Sequence, residues 1–393
     1  METAFLLSLL FIFYAYGGYP LILWIWARLK KRRTPALTQW PRVAVLMAAH
    51  NEESFIGSTL QAVLNSSYPQ ELFRIWVMSD KSTDRTDEIV RSFDPQRVTL
   101  VSIPNQQGKN AALRNHFHLA DGEILVLMDA NVIIPPESIK NLVRHFSNPR
   151  IGSVVGSKVL IKALTSVSQG DALYWRYEAK LRSLGSQTGA SCVGIDGAFY
   201  AIRKEIFDLN FPDHLPEDYA ICCRVFEKGF INVYDPEAVF FESPAINMRV
   251  EFFRKIRVIV RGIVGFFAFG NLLNPISHPV FFFQNFSHRF CRWLVPFFLI
   301  SLFLSSAMSS VLWIRILFYL QSGFYCAAML GWILKLFRKK SIFTSIPFYF
   351  SAMNSAALVS WFLLFKKFET WTPPQREAVP PDGFSLKNSS LRN

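Results

Sequence analysis

The chain has 393 residues, 51% of them hydrophobic, with 38 Phe and a formal net charge of +13. Its mean hydropathy of +0.22 is high for a wholly soluble protein, and the apolar residues are concentrated at the two ends. These values exclude a wholly soluble chain. The length allows a soluble domain of ordinary size together with membrane-spanning segments.

The first predicted element is a membrane anchor at residues 1–28. Residues 4–26 carry no charge, and their number is close to the ~20 residues that span a bilayer. Five basic residues follow the apolar run: Arg28, Lys30, Lys31, Arg32 and Arg33. A signal peptide has its charge before the apolar run and a cleavage site after it. The reversed order therefore predicts an uncleaved anchor whose C-terminal end lies in the cytoplasm.

Residues 41–245 are predicted to form a soluble α/β domain. Short apolar, strand-like runs occupy residues 43–49, 74–80, 97–103 and 123–130, and helix-like stretches occupy 54–67, 83–93 and 110–120. This alternation predicts a mostly parallel sheet that is covered by helices on both faces. The sequence contains neither the GxGxxG fingerprint of dinucleotide-binding folds nor a full P-loop.

Polar residues stand where three of these strands stop. Asn51 and Glu52 follow the first strand, Asp80 ends the second, and Asp129 and Asn131 follow the run at 123–128. The carboxyl ends of the strands in an open α/β sheet line a common crevice, which is where ligands bind. Acidic groups gathered there need metal ions or cationic partners. The pattern therefore predicts a metal-assisted nucleotide site.

For each candidate residue, a purely structural role must be weighed against ligand binding. Asp84 fits the start of a helix, where a carboxylate caps backbone N–H groups. Asp80 ends a strand where no helix needs it, and Asp129 follows five apolar residues, an expensive place for an unpaired carboxylate. Lys109 precedes a predicted helix, where a cation is unfavourable unless a phosphate binds at the same helix terminus. These three residues are therefore better explained by ligand binding.

A second acidic pair, Glu217 and Asp218, opens another predicted helix. Pro216 is placed in its first turn and Gly229 just past its end. Carboxylates in a first turn often only complement the helix dipole. The same dipole favours the anionic form of a carboxylate, which is the form that a general base needs.

The segment 246–290 is predicted to be an amphipathic interface segment. In a helix from Val250 to Gly262, Arg254, Arg257 and Arg261 share one face, and apolar residues occupy the other. A basic amphipathic helix of this kind lies on a membrane surface. Binding of a diphosphate by the arginines is compatible with that position.

Segment 291–367 is predicted to hold transmembrane helices, at about residues 293–309, 317–336 and 346–365. Arg289, Arg292 and the basic residues 338–340 favour the cytoplasm, but so do Lys366 and Lys367, and three crossings cannot satisfy all of them. Either the charge rule fails once or one segment is re-entrant or interfacial. The tail, residues 368–393, is predicted to be disordered, and the five scattered Cys residues are predicted to be free thiols.

The order of the motifs resembles that of the inverting nucleotide-sugar glycosyltransferases of family 2. The motifs are AAHNEE, SDKSTD, GKNAAL, MDAN, IDGAFYAIRKE and PED, and they lie between about Val43 and Gly262. Each motif is weak alone, but six in the right order form a strong signal. The resemblance implies the GT-A fold in its membrane-anchored, polysaccharide-synthase-like form.

The resemblance also implies roles for individual residues. Those implied to bind the nucleotide sugar are Ala49, Asn51, Glu52, Asp80, Lys109, Asp129, Arg254 and Arg257. Those implied to hold Mg²⁺ or Mn²⁺ are Asp129 and Asn131. Those implied to act in catalysis are Asp218 and Glu217, with Asp218 as the base that deprotonates the acceptor hydroxyl.

Two positions depart from the family pattern. The second acid of the Asp-x-Asp metal motif is Asn131 here, and an amide oxygen is a metal ligand that brings no charge. The Gln-x-x-Arg-Trp motif of the processive synthases is replaced by a stretch in which Arg257 matches the arginine and Val258 stands where the Trp would be. Val258 cannot stack on a sugar, which argues against processive synthesis.

The expected function is transfer of a sugar from a nucleotide-diphosphate donor, with a UDP-sugar as the first choice. The alternatives are a processive synthase that extrudes its polymer and a nucleotide-sensing membrane scaffold. The expected partners are the donor, a glycan or lipid-linked acceptor, the lipid bilayer, and a homo-oligomer or other polysaccharide-assembly proteins, and no nucleic acid. The expected location is the inner membrane, as a multi-pass protein with a cytoplasmic catalytic domain.

Overall fold

The computed structural model of the chain describes residues 1–30, 37, 39–160, 168–188, 194–212, 214–242, 248–337 and 341–364. Cys192, the basic residues at 31–33, 338–340 and 366–367, and the predicted disordered tail lie outside the described residues. The chain begins with a long apolar helix. Its two parts, α1 (Glu2–Phe13) and α2 (Tyr19–Leu29), are joined by a π-helical turn at Tyr14–Gly18.

A seven-stranded sheet forms the centre of the soluble domain. Its strands are β1 (Val43–Ala49), β2 (Phe73–Asp80), β3 (Val98–Ile103), β4 (Ile124–Asp129), β5 (Ile151–Leu160), β6 (Phe199–Arg203) and β7 (Ile231–Glu242). They lie in the order β3-β2-β1-β4-β6-β5-β7. All neighbours pair in parallel except β6, which runs antiparallel to both β4 and β5. The predicted mostly parallel sheet is confirmed.

Helices cover both faces of this sheet. They are α3 (Ile56–Leu64), α4 (Thr86–Arg91), α5 (Lys109–His116), α6 (Ser138–Val143), α7 (Ser168–Gln187) and α8 (Glu217–Glu227). In β1, Val43 and Val45 pack with α3, α4 and α6 on one face, whereas Ala44 and Leu46 pack with α5 and α8 on the other. Burial on both faces explains why the strands are continuous apolar runs.

The C-terminal part is helical. It contains α9 (Met248–Ala268), α10 (Pro279–Asn285), α11 (Cys291–Ala307), α12 (Leu312–Leu336) and α13 (Ile342–Leu363). A π-helical turn joins α10 to α11, so the predicted boundary between residues 290 and 291 falls inside one continuous helix. Four segments are long and apolar enough to cross a membrane: Glu2–Leu29, Pro279–Ala307, Leu312–Lys335 and Phe343–Leu363.

The amphipathic helix α9 is longer than predicted and lies in a different environment. Its apolar face packs on the last membrane helix: Ile256 and Val260 contact Ala356 of α13, and Ile259 contacts Ala357. The expectation that this face rests on lipid is therefore wrong for these residues, because α13 covers them. The helix instead connects the soluble domain to the membrane segments.

Among the described residues, Cys222, Cys223, Cys291 and Cys326 form no disulfide bond, as predicted, and the first three are buried.

Candidate active site

The three strand ends named from the sequence meet at one edge of the sheet. In the register of β1 and its neighbours, Ala49 lies opposite Ser79 of β2 and Ala48 lies opposite Asp129 of β4. Because β6 runs antiparallel, its amino end lies at this same edge and brings Gly197 beside Asp129. The carboxyl edge of the sheet therefore collects residues from three strands, β1, β2 and β4, and from the segment before β6.

Hydrogen bonds of Asn51 and Glu52 join the loop after β1 to the loop after β2. Asn51 has a φ of +56°, a left-handed conformation that Asn adopts more readily than most residues. Its Oδ1 accepts a hydrogen bond from the Thr83 backbone N–H at 2.8 Å. The Glu52 N–H donates to Thr86 Oγ1 at 2.8 Å. The structure thus gives both residues a role in shaping the loop, and their donor contacts stay predictions.

Asp84 supports the start of α4. Its Oδ1 accepts from the Thr86 N–H at 3.0 Å and from Thr86 Oγ1 at 2.6 Å. Burial alone raises the pKa of Asp84, but its hydrogen bonds to Thr86 and to the Glu53 N–H lower it below its ordinary value. The structural interpretation of Asp84 therefore holds. Asp87, in the first turn of α4, accepts hydrogen bonds from the hydroxyls of Ser79 and Ser102.

Asp80 is buried at the end of β2 and holds the loop before α5. Its two carboxylate oxygens accept hydrogen bonds from the backbone N–H groups of Gln107 at 2.8 Å and Gly108 at 2.7 Å. Gly108 has a φ of +84°, a conformation that favours glycine. The next residue is Lys109, so Asp80 determines where the first residue of α5 lies.

Lys109 connects the acidic residues of the site. Its Nζ donates to Asp129 Oδ1 at 2.7 Å and to the Gly197 carbonyl oxygen at 3.0 Å, and it lies 4.0 Å from Glu217 Oε2. Burial alone lowers the pKa of Lys109, but the carboxylates of Asp129 and Glu217 outweigh it and raise that pKa above its ordinary value. Lys109 is therefore a firmly charged cation among carboxylates from β4 and α8.

Glu217 and Tyr200 carry buried polar atoms that point to a ligand. Glu217 Oε1 and the Tyr200 hydroxyl have no hydrogen-bond partner among the described residues. Burial raises the pKa of Glu217, as do Asp129 and Asp218, while Lys109 opposes them. Burial and the nearby carboxylates raise the pKa of Tyr200 well above its ordinary value. Buried polar atoms are nearly always paired, so these two are candidates for substrate contacts.

Asp218 faces a cavity between the soluble domain and the apolar helices. The cavity has a volume of about 650 Å³, and Asp218 lines it whereas Lys109, Asp129 and Glu217 do not. Asp218 Oδ1 also accepts a hydrogen bond from the Tyr219 N–H at 2.8 Å. Pro216 lies just before α8 rather than in its first turn, a shift of one residue from the prediction.

Gly197 lies next to both Asp218 and Lys109. A Cβ placed on Gly197 would lie 3.8 Å from the Asp218 Cβ and 4.0 Å from Lys109 Nζ. A side chain at this position would therefore fill the space where the two functional groups approach each other. The motif IDGAFY contains this glycine, but its place between a base and a cation follows only from the fold.

The arginines of α9 differ in their surroundings. Arg254 lines the cavity and pairs with Glu251 through contacts of 2.8 and 2.6 Å. Arg261 donates to the carbonyl oxygens of His214 and Leu215, in the segment that leads into α8. Arg257 forms no ion pair with a described carboxylate and does not line the cavity. Burial lowers the pKa of Arg257, and so do the charges of Arg261 and Arg254.

The oxygen ligands available for a metal ion are few. Within the described part of the chain, no group of three or more His, Cys, Asp and Glu side chains could hold a metal ion. Asp129, at the end of β4, offers a carboxylate, of which Oδ1 contacts Lys109, and Asn131 follows two residues later. One carboxylate and one amide fit a Mg²⁺-type ion that takes its remaining ligands from substrate phosphates and water.

Comparison with known proteins shows what the soluble domain is similar to. Residues 44–210 match the family model described as Glycosyl transferase family 2. The probable glycosyltransferase YdaM of Bacillus subtilis is 28% identical over 319 residues, 77% of this chain and 73% of that protein. The beta-monoglucosyldiacylglycerol synthase of a Nostoc species is 30% identical over 127 residues, which are 31% of this chain and 27% of that protein.

A solved structure shows the same architecture. The mannosyltransferase PcManGT from Pyrobaculum calidifontis, solved in complex with GDP-Man and Mn²⁺, matches with a TM-score of 0.65 at 23% identity. The match covers 90% of this chain and 99% of that chain. At this identity the likeness shows the fold, and the fold is the predicted GT-A fold.

These findings define a nucleotide-sugar glycosyltransferase with a GT-A domain and flanking apolar helices. Its domain at residues 44–210 matches the model of glycosyltransferase family 2.

Proposed function

We infer that the protein is a membrane-bound inverting glycosyltransferase of cell-surface polysaccharide synthesis. It moves a sugar from a nucleotide-diphosphate donor to a lipid-linked or growing glycan acceptor. The observation that carries this proposal is the arrangement around Gly197. Lys109 and Asp129 lie on one side at the sheet edge, and Asp218 faces the cavity on the other.

In the proposed reaction, the oxygen of an acceptor hydroxyl attacks the anomeric carbon of the donor sugar. Its proton passes to the Asp218 carboxylate, and the bond between the anomeric carbon and the diphosphate oxygen breaks. The diphosphate leaves with the electron pair, and Lys109 stabilises its negative charge. Attack from the face opposite the leaving group inverts the anomeric configuration.

Asp129 and Asn131 are the proposed ligands of Mg²⁺ or Mn²⁺. A divalent ion bound there would supply further charge stabilisation to the departing diphosphate. The proposal is supported by the oxygen ligands present and by the Mn²⁺ in the PcManGT complex. The donor contacts proposed for Ala49, Asn51, Glu52, Asp80, Arg254 and Arg257 follow from the same family pattern.

A test of the metal proposal uses two substitutions at the end of β4. Asp129→Ala should weaken donor binding in the presence of Mg²⁺ or Mn²⁺ by at least about tenfold, because loss of outer-shell partners alone costs metal sites that much. Asn131→Asp should preserve or strengthen the metal dependence by adding a ligand charge. Calorimetric titration of the donor with and without EDTA measures both, and equal affinity under all conditions would remove the metal from the proposal.

The donor is best identified by a panel of nucleotide sugars, scored by nucleotide release from the purified full-length protein. We propose a UDP-sugar first; GDP-mannose belongs in the panel because PcManGT was solved with it. Release from at least one donor is expected. No release from any donor, with or without acceptor, would favour a nucleotide-sensing membrane scaffold.

The membrane location is proposed from the four apolar helices and the basic residues beside them. Arg28 lies near the C-terminal end of the first span, Glu2–Leu29, and this supports a cytoplasmic catalytic domain in a multi-pass inner-membrane protein. A processive synthase is the second candidate, but Val258 of α9 offers no ring on which a sugar could stack.

A further inference from the structure

We propose that the acceptor is a phosphate-bearing lipid that presents a hydroxyl group to Asp218 and lays its hydrocarbon chain between the membrane helices. This inference rests on the proposed function and narrows its acceptor to one chemical class. It is drawn from the cavity that Asp218 lines and from an apolar groove that continues it.

The cavity is rich in cations. Six basic and three acidic side chains line it. Three of the cations have carboxylate partners: Arg292 pairs with Glu178, Arg254 with Glu251, and Lys158 with Asp196 and Glu242. Lys255 and Arg289 have no carboxylate partner among the described residues.

Aromatic rings hold Lys255 and Arg289 in place, and the sixth cation, Arg182, lies 5.9 Å from the ring centroid of Trp175. Lys255 Nζ lies 4.3 Å from the ring centroid of Tyr174, and Arg289 Cζ lies 4.6 Å from that of Tyr219. A cation over an aromatic ring keeps its charge and its hydrogen-bond donors. Both residues therefore stay available to an anionic ligand, and a phosphate suits them because its oxygens accept charge-assisted hydrogen bonds.

The position of Arg289 assigns that phosphate to the acceptor. Arg289 lies over the ring of Tyr219, the residue after Asp218, and Arg289 and Asp218 line the same cavity. Lys109 and Asp129, which are proposed to contact the donor diphosphate, do not line this cavity. Of the cations in this cavity, Arg254 is a proposed donor contact, whereas Lys255 and Arg289 are assigned to the acceptor, which would approach Asp218 through the cavity.

An apolar groove provides room for a hydrocarbon chain. It has a volume of about 370 Å³ and is lined by residues of α1, α11, α12 and α13, among them Phe5, Leu302 and Leu320. Ile346 and Phe350 of α13 line both the groove and the cavity. A lipid with its phosphate at Lys255 and Arg289 can thus extend its chain along these two side chains into the groove.

The presence of a base further narrows the class of lipid. The oxygen of a phosphate monoester is already anionic and needs no base to attack a sugar, whereas a neutral hydroxyl does. Asp218 therefore favours a lipid with both a phosphate and a free hydroxyl. A neutral lipid such as diacylglycerol would leave the two cations without a partner.

The test measures lipid binding to the full-length protein in detergent, without any donor. Native mass spectrometry with phosphatidylglycerol, which carries a phosphate and free hydroxyls, is compared with diacylglycerol. Wild type should bind phosphatidylglycerol in preference. The double variant Lys255→Gln and Arg289→Gln should weaken that binding about 10- to 100-fold, the usual cost of losing hydrogen bonds between charged groups.

Arg315→Gln is the matched control, since Arg315 is exposed on α12 and lines neither the cavity nor the groove. It should bind phosphatidylglycerol as wild type does. If the double variant does not fold, Lys255→Gln alone should weaken binding in the same direction. Equal binding of diacylglycerol and phosphatidylglycerol by wild type, or unchanged phosphatidylglycerol binding in the folded variants, would overturn the proposal.

One further variant separates this inference from the proposed function. Asp218→Asn should still bind phosphatidylglycerol, because it keeps Lys255, Arg289 and the groove. Selective lipid binding by a protein that releases nucleotide from no donor would defeat the proposed function and leave the lipid site standing. Transfer to a soluble glycan by a protein that does not select phosphatidylglycerol would defeat only the lipid site.

Discussion

Asp218→Asn is expected to abolish sugar transfer while leaving donor binding nearly intact. Asp218 lies at the start of α8 and faces the cavity, whereas the proposed donor contacts at Lys109 and Asp129 lie on the other side of Gly197. An amide cannot take the proton of the acceptor hydroxyl, and loss of a general base costs about 10²–10⁴-fold in rate. Nucleotide release in the presence of acceptor measures turnover, and calorimetric titration measures donor affinity.

Glu88→Gln provides the control for this substitution. Glu88 is also a carboxylate in the first turn of a helix, but it is exposed on α4 and pairs with Arg85. Its removal tests whether the loss of any such carboxylate impairs the enzyme, and turnover should stay unchanged. Wild-type turnover in Asp218→Asn would show that another group, with Glu217 as the nearest candidate, acts as the base.

Lys109→Gln is expected to abolish donor use and to lower the free energy of unfolding. Lys109 Nζ forms an ion pair with the Asp129 carboxylate at 2.7 Å, and it lies 4.0 Å from the Glu217 carboxylate. Its removal leaves mutually repelling carboxylates in a largely buried site. Breaking a fully buried ion pair costs about 3–5 kcal/mol, and the loss here should be smaller because the side chains of Lys109 and Asp129 are 28% and 27% exposed.

The loss of stability in Lys109→Gln should depend on pH in a definite direction. The pKa of Glu217 is raised, so its contribution to stability is present at low pH and is lost as the pH rises through the folded-state pKa. The pKa of Lys109 is also raised, so its own contribution persists until the pH approaches the ordinary lysine range. The difference between wild type and variant should therefore be large near neutral pH and smaller in acid.

Unfolding of both proteins in detergent at pH 5 and pH 7.5 measures this difference. Lys140→Gln is the control, because Lys140 forms only a 4.0 Å contact with the exposed carboxylate of Glu137 on α6. It should change stability little at either pH. Equal stability of Lys109→Gln and wild type would mean that the lysine does not neutralise the site.

The sequence predicted the part of the fold that depends on local pattern. The apolar runs at β1, β2 and β4 and the polar residues that end them were enough to place Asp80 and Asp129 at one edge of the sheet. The antiparallel direction of β6 could not be predicted, because the run Phe199–Arg203 carries no signal of direction. The position of Gly197 between Lys109 and Asp218 depends on that direction.

Three kinds of contact could not be predicted from the sequence: hydrogen bonds to backbone N–H groups, the packing partner of an apolar helix face, and ion pairs between distant residues. Asp80 binds backbone N–H groups, which every residue except proline carries, so Gln107 and Gly108 gave no sign of the contact. The apolar face of α9 packs on α13 rather than on lipid, and both partners are equally apolar. The pairing of Lys109 with both Asp129 and Glu217 joins residues that are far apart in the chain.

The most direct single measurement is the anomeric configuration of the product. The full-length protein, a nucleotide sugar that it accepts, and an acceptor are incubated together, and the new glycosidic bond is examined by NMR. A single displacement with Asp218 as the base predicts a product whose anomeric configuration is opposite to that of the donor. Retention of the donor's configuration would contradict both the role of Asp218 and the proposed mechanism.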